Sequence, residues 1–152
     1  MCHAAGGFSL LEILIAVVVL SIGLLGLVGL QTSAVKINSS AMSRSVAVDY
    51  ANAMMDNVRT NPRGAQAGHY SVSLGGSQYG DDKDFAYKYT ANWLKNLKRS
   101  LPQARVLSCR TEDGRKCAVG KGNYHMVCIK WDQGDSKLFE AGTQQVFLLG
   151  RM

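Results

Sequence analysis

The residues whose chemistry could matter are three cysteines, two histidines, three neighbouring aspartates, a glycine- and lysine-rich turn, and one glutamate inside an apolar run. Cys109, Cys117 and Cys128 lack the CxxC spacing that zinc sites favour. Asp81, Asp82 and Asp84 lack the calcium-loop pattern, and suit better the N-terminal end of a helix starting near Asp84, where negative charge meets the positive end of the dipole. His69 and His125 have no evident partner or nucleophile, and read as a loop and a strand-surface residue. The stretch "GRKCAVGKGN" fails as a phosphate loop: five residues rather than four separate Gly114 from Gly120, and Gly122 follows Lys121 where a hydroxyl is required. It reads as a basic turn. No catalytic set, metal site or cofactor site is therefore expected. What remains is Glu12.

Glu12 stands in "GGFSLLEILIAVVVLSIGLLGLVGL", residues 6 to 30, which carries no other charged side chain. A helix from Phe8 to Leu30 would be roughly 35 Å long, enough to cross a bilayer core. A carboxylate in hydrocarbon costs a few kcal/mol, and such residues usually have a partner. An ordinary secretory signal is excluded. The stretch before Phe8 has no Lys or Arg, the apolar run is too long, and no small-residue cleavage site follows it.

The residues "G-F-S-L-L-E" resemble the class III signal of type IV pilins and pseudopilins. The resemblance implies that residues 1–7 are a leader. A prepilin peptidase would cut between Gly7 and Phe8 and methylate Phe8. Glu12 would then pair with the new α-amino group of a neighbouring subunit, a cation with a reference pKa of about 7.7–8.0. Pairing would neutralise both buried charges and set the axial register. Without that partner, Glu12 would snorkel into the headgroups.

The helix must continue beyond the span. Val35, Met42, Val46 and Ala53 fall on a narrow stripe at 100° per residue, with Tyr50 at its edge. Asn61-Pro62 and Gly64 stop it, giving a helix of about 75–80 Å, longer than a compact domain needs. Gly23, Gly26 and Gly29 within the span would let helices approach closely. Residues 65–84 read as a surface loop with a short strand at 70–74. The helix after Asp84 carries Phe85, Tyr89, Trp93 and Leu97 as its core stripe, joined by Leu94 and Leu101. Three period-two stretches follow, "ARVLSC", "NYHMVCIKWD" and "TQQVFLLG", which predict an antiparallel sheet packed on the long helix. Val127, Ile129 and Trp131 share its core face, and Cys128 points the other way.

The expected fold is α+β: a pilin fold, with a leader at 1–7, a membrane and filament-core helix at 8–30, and a soluble domain at 31–152. Within the pilin-like group, "SIGLLGLVGLQ", "DYANAMMDNVRTNPRGA", the "W..L...LP" segment from Trp93 and "C…C…V.I.W" from Cys109 to Trp131 together resemble the PilV group of minor pilins. That resemblance points to a Cys109–Cys117 disulfide, with Cys109–Cys128 across the hairpin as the alternative. Once the leader with Cys2 is removed, either leaves one thiol over and suits an oxidising periplasm. Lys36 and Arg44, the nearest cations, lie beyond the span, and charge bias alone would put the C-terminal part in the cytoplasm. The resemblance and the cysteines instead imply a periplasmic soluble domain on a single-pass inner-membrane anchor, later at the pilus and cell surface.

The implied function is non-enzymatic: a minor pilin that helps prime pilus assembly and sits at or near the tip, supporting pilus biogenesis, twitching motility and adhesion. Its implied partners are other minor and major pilins, the prepilin peptidase, the inner-membrane assembly platform and a tip adhesin. Two alternatives stand beside it. One is a type II secretion pseudopilin. The other is a DNA- or surface-binding subunit, in which nucleic acid meets Arg110, Arg115, Lys116 and Lys121 of the basic turn; the 152-residue chain has a net charge of +6.

Overall fold

The structure is a computed structural model, and it describes residues 9–101, 103–117, 121–132 and 143–152. Its elements in order are α1 (Leu10–Thr60), α2 (Pro62–Gln66), α3 (Phe85–Ser100), β1 (Arg105–Thr111), β2 (Tyr124–Asp132) and β3 (Thr143–Arg151). The chain forms two units, residues 1–39 and 40–152. The leader, Gly7 and Phe8 lie outside the described residues.

In the first unit the described chain is helical from Leu10 onward. Its best 18-residue window has a mean hydropathy of 2.9 with none of its residues buried, and by length and composition it can cross a membrane. Hydroxyls inside it are satisfied locally. Ser21 Oγ donates to the Val17 carbonyl at 2.7 Å, and Thr32 Oγ1 to the Val28 carbonyl at 2.6 Å. A lipid-exposed segment needs this, because hydrocarbon offers no alternative acceptor. The helix runs on through Gly23, Gly26 and Gly29, and a Cβ added at any of them would meet nothing within 4 Å.

In the second unit the buried face of α1 is Ala47, Ala51, Met54, Met55 and Val58. This corrects the expected stripe. Val35 and Met42 are about 70% exposed and Ala53 is exposed, while Val46 only flanks the core. The buried arc lies roughly 140° round the helix from the expected one, at 100° per residue. Two alanines lead it because small side chains admit close packing, a preference that a hydrophobicity stripe weighs too little.

Asn61 and Pro62 end α1 as expected, but the chain then re-enters a helix. Pro62 takes the first position of α2, where its missing N–H costs nothing, and Asn61 Oδ1 caps it by accepting from Gly64 N at 3.1 Å. Residues 65–84 are likewise not all surface. Ala65, Tyr70 and Val72 are buried, and Val72 forms isolated bridges to Gln78 and to Ser108 on β1. Tyr70 belongs inside because it fills the core with its ring while Asn61 Nδ2 reaches its hydroxyl at 3.3 Å.

Asp84 caps α3, its Oδ1 accepting from Ala86 N at 3.2 Å. The helix buries Ala86, Thr90, Trp93, Leu94 and Leu97, whereas Phe85, expected in the core, is 65% exposed and stacks on Tyr89. Two ring groups tie α3 to α1. Trp93 Nε1 donates to the Tyr50 carbonyl at 2.9 Å, and the Tyr89 hydroxyl donates to the Ala53 carbonyl at 3.2 Å.

The sheet is antiparallel in the order β1-β2-β3. Val106, Ile129 and Val146 form one row of its inner face, and Arg110, His125 and Gly150 another. At Gly150 a Cβ would lie 2.4 Å from Met55 Cε of α1, the flexible end of a side chain that would have to turn aside. Gly122, in the β1–β2 connection at φ +104°, would put a Cβ 2.2 Å from the Thr111 carbonyl oxygen. The long helix and this three-stranded antiparallel sheet make the α+β pilin-like arrangement that was expected.

Candidate functional site

At the N-terminal end of the described chain, Ser9 starts α1. Its hydroxyl accepts from Leu11 N at 3.3 Å, and its carbonyl accepts from Glu12 N at 3.0 Å and Ile13 N at 3.3 Å. Glu12 therefore sits in the first helical turn. Ser9 and Glu12 have the S-x-x-E spacing of a capping box, a local signal that the charge-in-hydrocarbon argument passed over. A carboxylate in this turn meets the positive end of the helix dipole. The fold thus lowers the cost of Glu12 at its own position, and leaves the carboxylate exposed to whatever approaches the helix end.

In the second unit Cys109 and Cys117 form a disulfide, with Cα atoms 5.6 Å apart. Cys117 lies in the β1–β2 connection, so the bond pins that connection to β1. Cys128 is a free thiol on the outer face of β2, and it is buried despite pointing away from the core. Burial pushes its thiol pKa up, which makes it a poor nucleophile.

His69 lies in a loop, as expected, but it has a partner. His69 Nδ1 contacts Asp84 Oδ2, so the residue that caps α3 also holds the preceding loop. The Asp84 carboxyl is held below its usual pKa, first by His69 and then by Ala86 N.

His125 is not on the surface but fully buried. Its Nε2 is 2.9 Å from Ser108 Oγ, which in turn donates to the Tyr70 carbonyl at 2.8 Å. With the serine proton so committed, His125 must be the neutral tautomer that donates from Nε2. Among the described residues its Nδ1 has no hydrogen-bond partner. Burial, followed by the nearby Arg110, lowers the His125 pKa to about 4. The missed signal was the alternation of β2: Val127, Ile129 and Trp131 share a face, and two residues before them that face carries His125.

A serine hydroxyl beside an imidazole suggests a nucleophile. Here the serine is fully buried, its proton points at a carbonyl, and no acid among the described residues orients Nδ1. The pair is a packed polar bridge between β1, β2 and the Tyr70 segment.

The basic turn is also partly structural. Arg110 donates to the Gly122 carbonyl at 2.7 Å and to the Gln66 carbonyl at 2.6 Å, so its guanidinium holds the β1–β2 connection against the end of α2. Asp113 Oδ1 accepts from Arg115 N at 2.9 Å and Lys116 N at 3.2 Å, which keeps its carboxyl below the usual range. The segment joins two strands, whereas a phosphate loop joins a strand to a helix. Among the described residues no group of three or more His, Cys, Asp or Glu side chains could hold a metal ion.

Residues 2–28 match the prokaryotic N-terminal methylation motif. No curated protein matches the chain, and no solved structure does. The matched segment covers both Gly7-Phe8 and Glu12. The motif supports a type IV pilin-like protein of pilin or pseudopilin type, a structural subunit processed by a prepilin peptidase and assembled with other pilins. With the apolar first helix, it fits a membrane-anchored subunit that becomes pilus-associated.

Proposed function

We propose that the chain is a minor pilin of the PilV group, cut between Gly7 and Phe8 and methylated on Phe8. The observation that carries this is the methylation motif at residues 2–28, set at the start of a helix whose apolar part holds one carboxylate, Glu12. After cleavage Phe8 bears a new ammonium group, four residues before Glu12. In a staggered neighbour the ammonium of one copy meets the carboxylate of the next. Each ion alone is costly in an apolar bundle, and together they are tolerated only in one axial register.

The later motifs and their order favour the minor-pilin subgroup. The disulfide in the soluble unit favours its export to an oxidising periplasm. There the subunit would join other minor pilins to prime the filament on the inner-membrane platform, then travel at or near the tip. Pilus biogenesis, twitching motility and adhesion would depend on it.

The N-terminal mass of the mature protein tests the processing: methylated Phe8 is expected, and any other start overturns it. Deleting the gene tests the subgroup. Loss of surface pili with intact exoprotein secretion is expected. Lost secretion with normal pili would make the chain a type II secretion pseudopilin instead.

A further inference from the structure

Helix α3 turns a face to solvent that the proposed function does not use. Between Phe85 and Thr111 the chain carries six cations and no acid. Three of the six, Lys88, Lys95 and Arg99, are exposed and fall within about 40° of one another at 100° per residue, opposite the buried Ala86, Trp93 and Leu97. They follow one another along roughly 17 Å of helix. Asn92 and Asn96, both exposed, lie beside them on the same side.

Helix stability does not account for this row. Lys95 and Arg99 are like charges one turn apart, which weakens a helix where a glutamate in place of Lys95 would strengthen it. The dipole favours cations in the last turn, which holds Lys98 and Arg99, but Lys88 lies near the other end, where the dipole opposes it.

An aromatic ring stands exposed at the start of the same face. Phe85 is 65% exposed and stacks on Tyr89, with centroids 6.3 Å and planes 27° apart. Tyr89 is itself fixed, its hydroxyl donating to the Ala53 carbonyl at 3.2 Å and its ring edge-on to Tyr70. The phenyl ring is therefore held in place while most of it stays open to solvent.

We infer that this face of α3 binds single-stranded nucleic acid, with Lys88, Lys95 and Arg99 along the phosphates and Phe85 against a base. Single strands are held by this combination, in which cations follow the backbone and an exposed ring stacks a base. Asn92 and Asn96 add amides that both donate and accept hydrogen bonds at base edges. Other polyanions match the face less well. An acidic protein would need an apolar centre to bury, and the exposed residues from Lys88 to Arg99 are all charged or polar. A lipid surface would need the apolar stripe of α3, but Trp93, Leu94 and Leu97 are committed to the core. A duplex keeps its bases stacked inside, out of reach of the Phe85 ring. The face is also separate from the basic turn, whose Arg110 is engaged by the Gly122 and Gln66 carbonyls. It lies wholly on the second unit, whether or not the chain enters a filament.

The test is fluorescence anisotropy of the full chain in neutral detergent, with a labelled oligothymidylate of about 15 nucleotides. With three phosphates neutralised, affinity should fall about 20-fold between 50 and 200 mM salt. K88E/K95E/R99E should weaken binding about tenfold or more, whereas R115E/K116E/K121E, the same change of net charge at the basic turn, should weaken it less than about threefold. F85L keeps an apolar side chain but loses the ring, and should weaken the oligothymidylate about fivefold while leaving a duplex of the same length unaffected. An unchanged urea midpoint in each variant separates lost contact from lost folding. The parent protein alone decides the remaining arms. No binding, tighter binding of the duplex than of the single strand, or an equal loss at the basic turn would overturn the inference. So would displacement of the oligothymidylate by poly-glutamate, or by mixed micelles containing phosphatidylglycerol, as readily as by the unlabelled strand.

Discussion

Replacing His125 by Gln should remove most of the chain's loss of stability between pH 7 and pH 4.5. In the folded protein the imidazole is fully buried, donates to Ser108, and has its pKa lowered to about 4 from an ordinary 6.5. The unfolded chain therefore binds a proton first, so stability is complete above pH 6.5 and falls as the pH drops toward 4. At pH 4.5 the proton-linked loss from this one group is about 2.5 kcal/mol relative to pH 7. Asp84 and Asp113 do not confuse the measurement. Their folded pKa values lie below the usual carboxylate value, so what they contribute is lost only at more acid pH. The assay is urea unfolding of the full chain in neutral detergent, followed by Trp93 and Trp131, both in the core of the second unit. H125Q will be less stable than the parent at pH 7, but its midpoint should move far less between pH 7 and 4.5. Equal pH slopes in the two proteins, or an NMR titration of folded His125 above pH 6, would refute the argument.

Glu12→Ala should leave membrane insertion intact and stop incorporation into filaments, as read by fractionation and by sheared surface protein; normal incorporation would reduce Glu12 to a helix-end carboxylate. C109A/C117A should cost about 2.5 kcal/mol for a loop of this length, and dithiothreitol should lower the Tm of the parent but not of the variant. Gly150→Ala should cost no more than about 1 kcal/mol, because the Met55 methyl it meets ends a flexible side chain that can turn aside, and less still in an M55A background. Urea midpoints of the two singles and the double give that coupling directly.

What could be read from the sequence alone is what neighbours along the chain decide. The uncharged run after Glu12 sets a spanning helix by length and composition. Asn61-Pro62 breaks α1 because proline restricts the residue before it. Asp84 caps α3 through a hydrogen bond two residues away. The three strands follow from period-two alternation, since successive side chains must take opposite faces. The methylation motif belongs to this class as well, being one contiguous segment at residues 2–28.

Tertiary structure decided what depends on the other side of each contact. Alternation places Cys128 away from the core, but only the folded chain shows that this side is covered too. The rotation of α1 was misjudged because Val35 and Met42 are as apolar as core residues, while Ala47 and Ala51 bury by being small enough to pack closely. Tyr70 lay in a polar-looking stretch, and Phe85 opened an apolar stripe. Tyr70 went inside and Phe85 stayed out, because the first meets Asn61 and Ser108 from other elements and the second precedes the turn where α3 reaches the core. His125 makes the point most sharply. Its face was legible from the strand, but its neutral state and low pKa came from a serine seventeen residues away and a buried site that no local pattern contains.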